Sequence, residues 1–235
     1  MQTQIGDSDI SVDCQTNYPF SGTLKYTIES DVDFDFFVRI PEWTITDEAT
    51  FTVGDGDAQA VSPNEDGLQQ VGIKAGTTTI SITLPMDVRT VERNGAVAFY
   101  RGPLLYASDL EYKETISPAT DFGSREPLPE DKTHPNAYDA VYEPVGAWQF
   151  AVDPSSVTVI KGDEEAELPN PLFVNNGPPT SLEVDAYPIE WPISNGTAAN
   201  PPLNPSVDQS QKTTIKLIPF GAAKLHIAQF PVAAI

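Results

Sequence analysis

The sequence predicts an all-β fold, an antiparallel β-sandwich of two packed β modules with long proline-rich loops. Three observations carry that prediction. Apolar residues alternate with polar ones in short runs, turn-forming pairs separate those runs, and no segment keeps a 3.6-residue apolar period over three turns.

The elements follow in order. Ile10, Val12 and Cys14 alternate, as do Leu24, Tyr26 and Ile28. Val32, Phe34, Phe36, Val38 and Ile40 alternate with Asp33, Asp35, Phe37 and Arg39, the period of a half-buried strand. Pro41 ends that run because it has no N–H to give to a ladder. Ile80, Ile82 and Leu84 repeat the pattern. Between them lie Ser21-Gly22, Gly54-Asp55-Gly56-Asp57, Glu65-Asp66-Gly67 and Ala75-Gly76, all turn signals. Ala96 to Tyr100 and Leu104 to Ala107 are continuously apolar, which predicts strands buried on both faces, with Gly102-Pro103 kinking the chain between them.

After about residue 112 the texture changes. Fifteen of the 22 prolines fall between residues 113 and 212, so that stretch reads as mostly extended connections. Strand-like islands remain at 148–152, 157–160 and 181–187, and the tail recovers β character at 213–219 and 223–230. The expected modules are therefore residues 1–112 and 113–235.

The chain has 235 residues and a formal net charge of -21, from 34 acids against 13 bases. Such a surface repels phosphate, so neither nucleic acid nor an anionic membrane is an expected partner. A lone cysteine, Cys14, allows no disulfide within the chain and no cysteine-rich zinc site, and the two histidines are far apart in sequence. No metal and no cofactor are expected. No run approaches the length of a membrane span, and Met1 to Asp7 lacks the basic and apolar regions of a signal peptide. An extracellular location would need an export signal upstream of Met1. Asn195-Gly196-Thr197 fits a glycosylation acceptor.

Each candidate for chemistry has a structural counterpart. Cys14 is in phase with Ile10 and Val12 and has no neighbouring base, which predicts a buried thiol rather than a nucleophile. Asp33 and Asp35 share a strand face beside Arg39 and read as solvated acids. Asp163-Glu164-Glu165, with Glu167, reads as a polar loop or a partner-facing edge. Gly54-Asp55-Gly56-Asp57 reads as a hairpin turn, with structural calcium as the alternative. Arg101 is expected to pair with an acid or to cap backbone carbonyls. No catalytic residue is assigned. Trp43, Trp148, Tyr187 and Trp191, with Phe37, are the candidates for stacking on sugar rings, or equally for filling a domain interface.

Five patterns then occur in order: Thr16-Asn17-Tyr18-Pro19-Phe20-Ser21-Gly22; Phe36-Phe37-Val38-Arg39-Ile40-Pro41-Glu42-Trp43; Leu84-Pro85-Met86-Asp87-Val88-Arg89; Gly95 through Tyr106; and Lys216 through Leu225. Together they resemble the β region downstream of the catalytic barrel in glycoside hydrolase family 127, the β-L-arabinofuranosidase-like enzymes. Trp148-Gln149-Phe150-Ala151 is a looser match. The resemblance implies a middle domain over 1–112 and a C-terminal domain over 113–235. It also implies an (α/α)6 barrel bearing a zinc-held cysteine nucleophile and glutamates, and nothing here matches that set. The expected function is accessory: stabilising or framing a barrel absent from this chain, with that barrel or a second copy as partner. The alternative is a free-standing carbohydrate-binding module for plant-type glycans. Loss of the barrel predicts an exposed apolar patch at Trp43, Trp191 and the tail Phe230 to Ile235.

Overall fold

Eight strands form from the first 83 residues of the structure, a computed structural model that describes residues 1–174 and 176–235. They are β1 (Gln2–Ile5), β2 (Ser8–Thr16), β3 (Thr23–Ser30), β4 (Phe34–Arg39), β5 (Thr50–Val53), β6 (Gln59–Ala60), β7 (Leu68–Ile73) and β8 (Gly76–Thr83). Six of them make one antiparallel sheet in the order β1-β2-β3-β8-β5-β6, and β4 pairs with β7 in a separate ribbon. The alternation decides which residues turn inward. Cys14, Tyr26, Ile80 and Val53 lie in one cross-strand row, and Leu24, Ile82 and Phe51 in the next. Phe34, Phe36 and Val38 face them from the ribbon, whose outward residues Asp35, Phe37 and Arg39 are exposed. Tyr26 and Phe36 meet edge to face at 5.4 Å across the gap.

The remaining strands are β9 (Val88–Arg93), β10 (Ala96–Arg101), β11 (Leu104–Asp109), β12 (Tyr112–Pro118), β13 (Tyr138–Pro144), β14 (Phe150–Val152) and β15 (Thr158–Lys161). They continue with β16 (Thr180–Pro188), β17 (Ile193–Ser194), β18 (Thr197–Ala198), β19 (Thr213–Pro219), β20 (His226–Ile227) and β21 (Phe230–Pro231). Nine of these form a second sheet along the path β14-β16-β19-β11-β10-β21, with β15, β20 and β9 attached to β16, β11 and β10. Strands on both sides of residue 112 share this sheet. Its core is Val97, Phe99, Tyr106, Val152, Leu182, Val184, Leu217 and Phe230, distinct from the cluster of the first sheet. The apolar run 96–107 is largely buried as expected, but Gly102-Pro103 is the tip of a β10–β11 hairpin in which Arg101 pairs with Leu104.

Three expectations change. Cys14 is exposed, because six strands of one sheet face only two opposite, and β1 pairs β2 only from Ser8 to Ser11, leaving Cys14 at an open edge. The tail is folded in: Phe230 and Pro231 pair with β10, Val232 bridges Val152, and Ala233 is buried, leaving Ile235 outside. Within 113–144, read as connection, β12 and β13 instead form an exposed two-stranded ribbon. Gly54-Asp55-Gly56-Asp57 turns the chain between β5 and β6, with Gly54 at φ 57°. Asn195-Gly196 is likewise the tip of the β17–β18 hairpin.

Gly22 sits where two backbones touch: its carbonyl accepts the Leu84 N–H at 2.9 Å, and a methyl group there would run into the Leu84 carbonyl oxygen. Gly22→Ala is expected to cost about 1–3 kcal/mol. Gly146→Ala, which meets open space, should stay within about 0.5 kcal/mol of the parent, both variants being compared by urea titration.

Candidate functional site

The two sheets are joined by a polar seam that draws on two of the five patterns and on the acidic run 163–165. Asn17 to Ser21, between β2 and β3, lies against the 161–166 loop. Asn17 Nδ2 donates to the carbonyls of Glu164 and Ala166 at 2.9 and 2.8 Å, and the Ser21 hydroxyl donates to Glu165 Oε1 at 2.7 Å. Arg101, at the end of β10 and only 4% exposed, closes the seam. Its Nη1 donates to the Phe20 carbonyl at 3.1 Å, and Nη2 lies 2.9 Å from Glu164 Oε1. The latter contact is an ion pair without an aligned hydrogen bond. Arg101 Nε and Glu164 Oε1 have no hydrogen-bond partner among the described residues. Charge rather than bond geometry therefore holds that pair, in a site too dry for water to screen it fully. Lys161 approaches Glu164 Oε2 at 3.8 Å from the solvent side.

Phe20 is buried beneath the seam and meets Phe173 at 6.0 Å. Beside them, Tyr106 hydrogen-bonds Thr180 at 2.8 Å. Burial pushes the Tyr106 phenol above its ordinary value, against the pull of Thr180 and Arg101. The acidic run 163–165 is thus a joint between sheets, and Arg101 pairs with an acid and caps a carbonyl, as its position suggested.

The four aromatic candidates are not brought together. Trp43 is half-buried and stacks on the exposed Tyr18 at 6.3 Å, near the seam. Trp148 and Trp191 pack on each other at 5.4 Å and are both buried. The Trp191 indole N–H donates to the Ala199 carbonyl, and Gln149 Nε2 donates to the Trp191 carbonyl. Tyr187 is buried in a separate cluster with Ala151 and Ala233. Burial of Trp148, Tyr187 and Trp191 leaves little ring surface for stacking on a sugar. Trp191 reaches an open hollow of about 390 Å³ with Tyr100, His226 and Gln229, and Trp148 one of about 130 Å³ with Thr197 and His226. The apolar patch expected at Trp191 is therefore absent.

An apolar groove lies elsewhere, at the uncovered edge of the first sheet. About 610 Å³ in size, it is lined by Ile5, Val12, Cys14, Tyr26, Phe34 and Phe36. Burial is the main cause that raises the Cys14 thiol, and its hydrogen bond with Tyr26 opposes the rise. Burial, then Cys14, push the Tyr26 phenol up to about 12. A thiol held protonated is a poor nucleophile. Asp33 is tied to Lys74 at 2.6 Å on the surface, which holds its carboxyl below the usual range. No group of three or more His, Cys, Asp or Glu suited to a metal occurs among the described residues.

Comparisons with known proteins agree with this architecture. Residues 1–86 match the family model described as beta-L-arabinofuranosidase, GH127 middle domain. Over 115 residues the chain is 31% identical to the non-reducing end beta-L-arabinofuranosidase of Bifidobacterium longum subsp. longum, covering 43% of this chain and 17% of that protein. In fold, 99% of the chain superposes on a GH127 beta-L-arabinofuranosidase from Geobacillus stearothermophilus T6, with TM-score 0.59 and 16% identity, over 32% of that chain. A GH127 beta-arabinofuranosidase matches at TM-score 0.53 and 16% identity, over 98% of this chain and 33% of its own. The chain thus resembles the GH127 middle domain in sequence over residues 1–86. In fold it resembles about a third of the solved enzymes over nearly its whole length.

Two predictions follow from the seam and the groove. Arg101→Met should destabilise by about 3 kcal/mol, because it strands a largely buried carboxylate, and adding Glu164→Leu should recover part of the loss. Strict additivity in a double-mutant cycle would deny the coupling. At high pH, the unfolded Tyr26 ionises near 10 while the folded one resists to about 12, so its stabilising contribution is full below pH 10 and fades between those values. Tyr26→Phe should therefore show a shallower alkaline loss of stability across that window, read by urea titrations at successive pH values.

Proposed function

We propose that the chain is the non-catalytic accessory β part of a β-L-arabinofuranosidase-like glycoside hydrolase, one that stabilises or frames a catalytic barrel. The observation that carries this reading is the agreement of two independent likenesses on one piece of such enzymes. The family model falls on residues 1–86, and the whole chain superposes on roughly a third of the enzyme chains. The chemistry within the chain supports it. The thiol is held protonated, and the Asp163-Glu164-Glu165 run is spent on the seam. The six-on-two sandwich leaves an apolar groove that a neighbouring domain would cover. The unit border proposed from the two cores lies near residues 85–87, where one cluster ends and the other begins.

A sugar-binding role has less support. Trp148, Tyr187 and Trp191 are buried, Trp43 is half-buried against Tyr18, and Phe37 is exposed on the outer face of β4.

The isolated chain is expected to release no p-nitrophenol from p-nitrophenyl β-L-arabinofuranoside above a buffer blank. Its mobility in affinity electrophoresis through arabinan or arabinoxylan should be unchanged. Immunoprecipitation from producing cells should yield peptides of a glycosidase catalytic domain, linked to the chain or separate. Turnover by the isolated chain would overturn the accessory reading, and retardation in arabinan would put the binding module first.

A further inference from the structure

The ribbon of β12 and β13 is the part of the molecule least accounted for by its own packing. Its register runs from Tyr112 opposite Pro144 to Pro118 opposite Tyr138, and among the described residues neither strand pairs with any other. A two-stranded ribbon alone is marginal in water, because it has no third strand and no covered face. At the far end Thr120 donates its N–H and hydroxyl to Asp139 Oδ2 at 3.0 and 2.6 Å, and the base packs on the body. Tyr112 and Tyr142 meet edge to face at 5.0 Å, and Lys224 lies 4.6 Å from the Tyr142 ring centre and 3.4 Å from Glu114.

Beyond that base the faces differ. Ile116, Pro118, Ala140 and Tyr138 share one face, while Thr115, Ser117, Asp139 and Val141 share the other. Ile116 is 59% exposed and Tyr138 54%. In the connection between the strands, Phe122 is 85% exposed. Ile116 and Tyr138 thus leave apolar surface open on one face, Val141 leaves some on the other at 57% exposure, and Arg125 lies 5.0 Å over the Phe122 ring.

Size and charge together select the occupant. The open stretch, residues 116–118 opposite 138–140, is three residues at about 3.4 Å each, roughly 10 Å long and about 10 Å wide, or roughly 100 Å². Two freely diffusing proteins need about 800 Å² per partner for a stable complex. A face this small adds useful binding only where the neighbour is already held nearby at high effective concentration. Residues 111–144 carry eight carboxylates against three Lys and Arg, and the whole chain carries -21. A second copy is repelled, and a surface with lysine or arginine among apolar residues is attracted. The enzyme chains on which this fold superposes hold about two-thirds of their length outside the match.

We infer that residues 112–144 form a clasp that lays its Ile116–Tyr138 face on the catalytic portion of a glycoside hydrolase. This rests on the accessory reading and names the element that makes the contact. The test places a photo-cross-linking benzoylphenylalanine at position 116, 117 or 34 of the protein as produced in cells, followed by irradiation and peptide mapping. Position 116 should give adducts with catalytic-domain peptides, and position 117, on the opposite face, should lose them. Equal or absent yield at 116 and 117, or adducts at 116 joining two copies of this chain or another class of protein, overturns the clasp. Adducts from position 34 in the groove without any from 116 would leave the accessory reading standing and remove the clasp. Failure of all three positions to reach a glycosidase polypeptide would remove both.

Discussion

The guanidinium of Arg101 lies where two separately cored sheets meet, and the orientation of one sheet on the other depends on what it holds. Each sheet has its own buried cluster, so neither needs the other to satisfy its apolar side chains. What crosses between them is the seam: Arg101, paired with Glu164 from a loop of its own sheet, reaches the Phe20 carbonyl of the first sheet, above the packed rings of Phe20 and Phe173. An arginine suits this place because its planar fork reaches two acceptors in different directions. Buried ion pairs of this kind contribute little net stability against an apolar replacement, yet removing one partner is costly. We therefore assign Arg101 to alignment rather than to bulk stability. Asn17 and Ser21 reinforce the same alignment through the neighbouring acidic loop.

Both uncovered apolar surfaces follow from how many strands each sheet could recruit. In the first, two strands cannot shield six, and the excess inner face at β1 and β2 becomes a groove. In the second, β12 leaves the sheet after β11 and finds only β13, so a strand pair projects with its apolar face open. The same strand count exposes Cys14, which local alternation alone would have buried.

The parts legible in the sequence were those set by local period. The runs at 24–28, 34–40 and 80–84 gave their inward and outward faces correctly, and the dense run at 96–107 gave a strand pair largely buried. Arg101 was legible too, because a charged residue closing an apolar strand must find an acceptor. The ribbon was not, although Tyr112, Glu114 and Ile116 keep the right period, because prolines and charges around them resemble a loop. Nor was the packing of Trp148 on Trp191, 43 positions apart, since which rings meet is decided by strand order. The tail looked exposed for the same reason: nothing local announces that Phe230 pairs beside Val97.

The seam and the two open surfaces belong to one mechanical problem. The groove sits on the first sheet and the ribbon springs from the second, so a body touching both is fitted only when the two sheets keep a fixed angle. A wholly apolar joint would permit sliding, because dispersion contacts are non-directional and re-form at neighbouring registers. Directed hydrogen bonds such as those of Arg101, Asn17 and Ser21 do not re-form after a small shift, and each lost partner leaves a desolvated polar group. A polar seam between two apolar cores is therefore the arrangement suited to holding separate surfaces in register. It trades stability at the joint for definition of shape, as the proposed framing role requires.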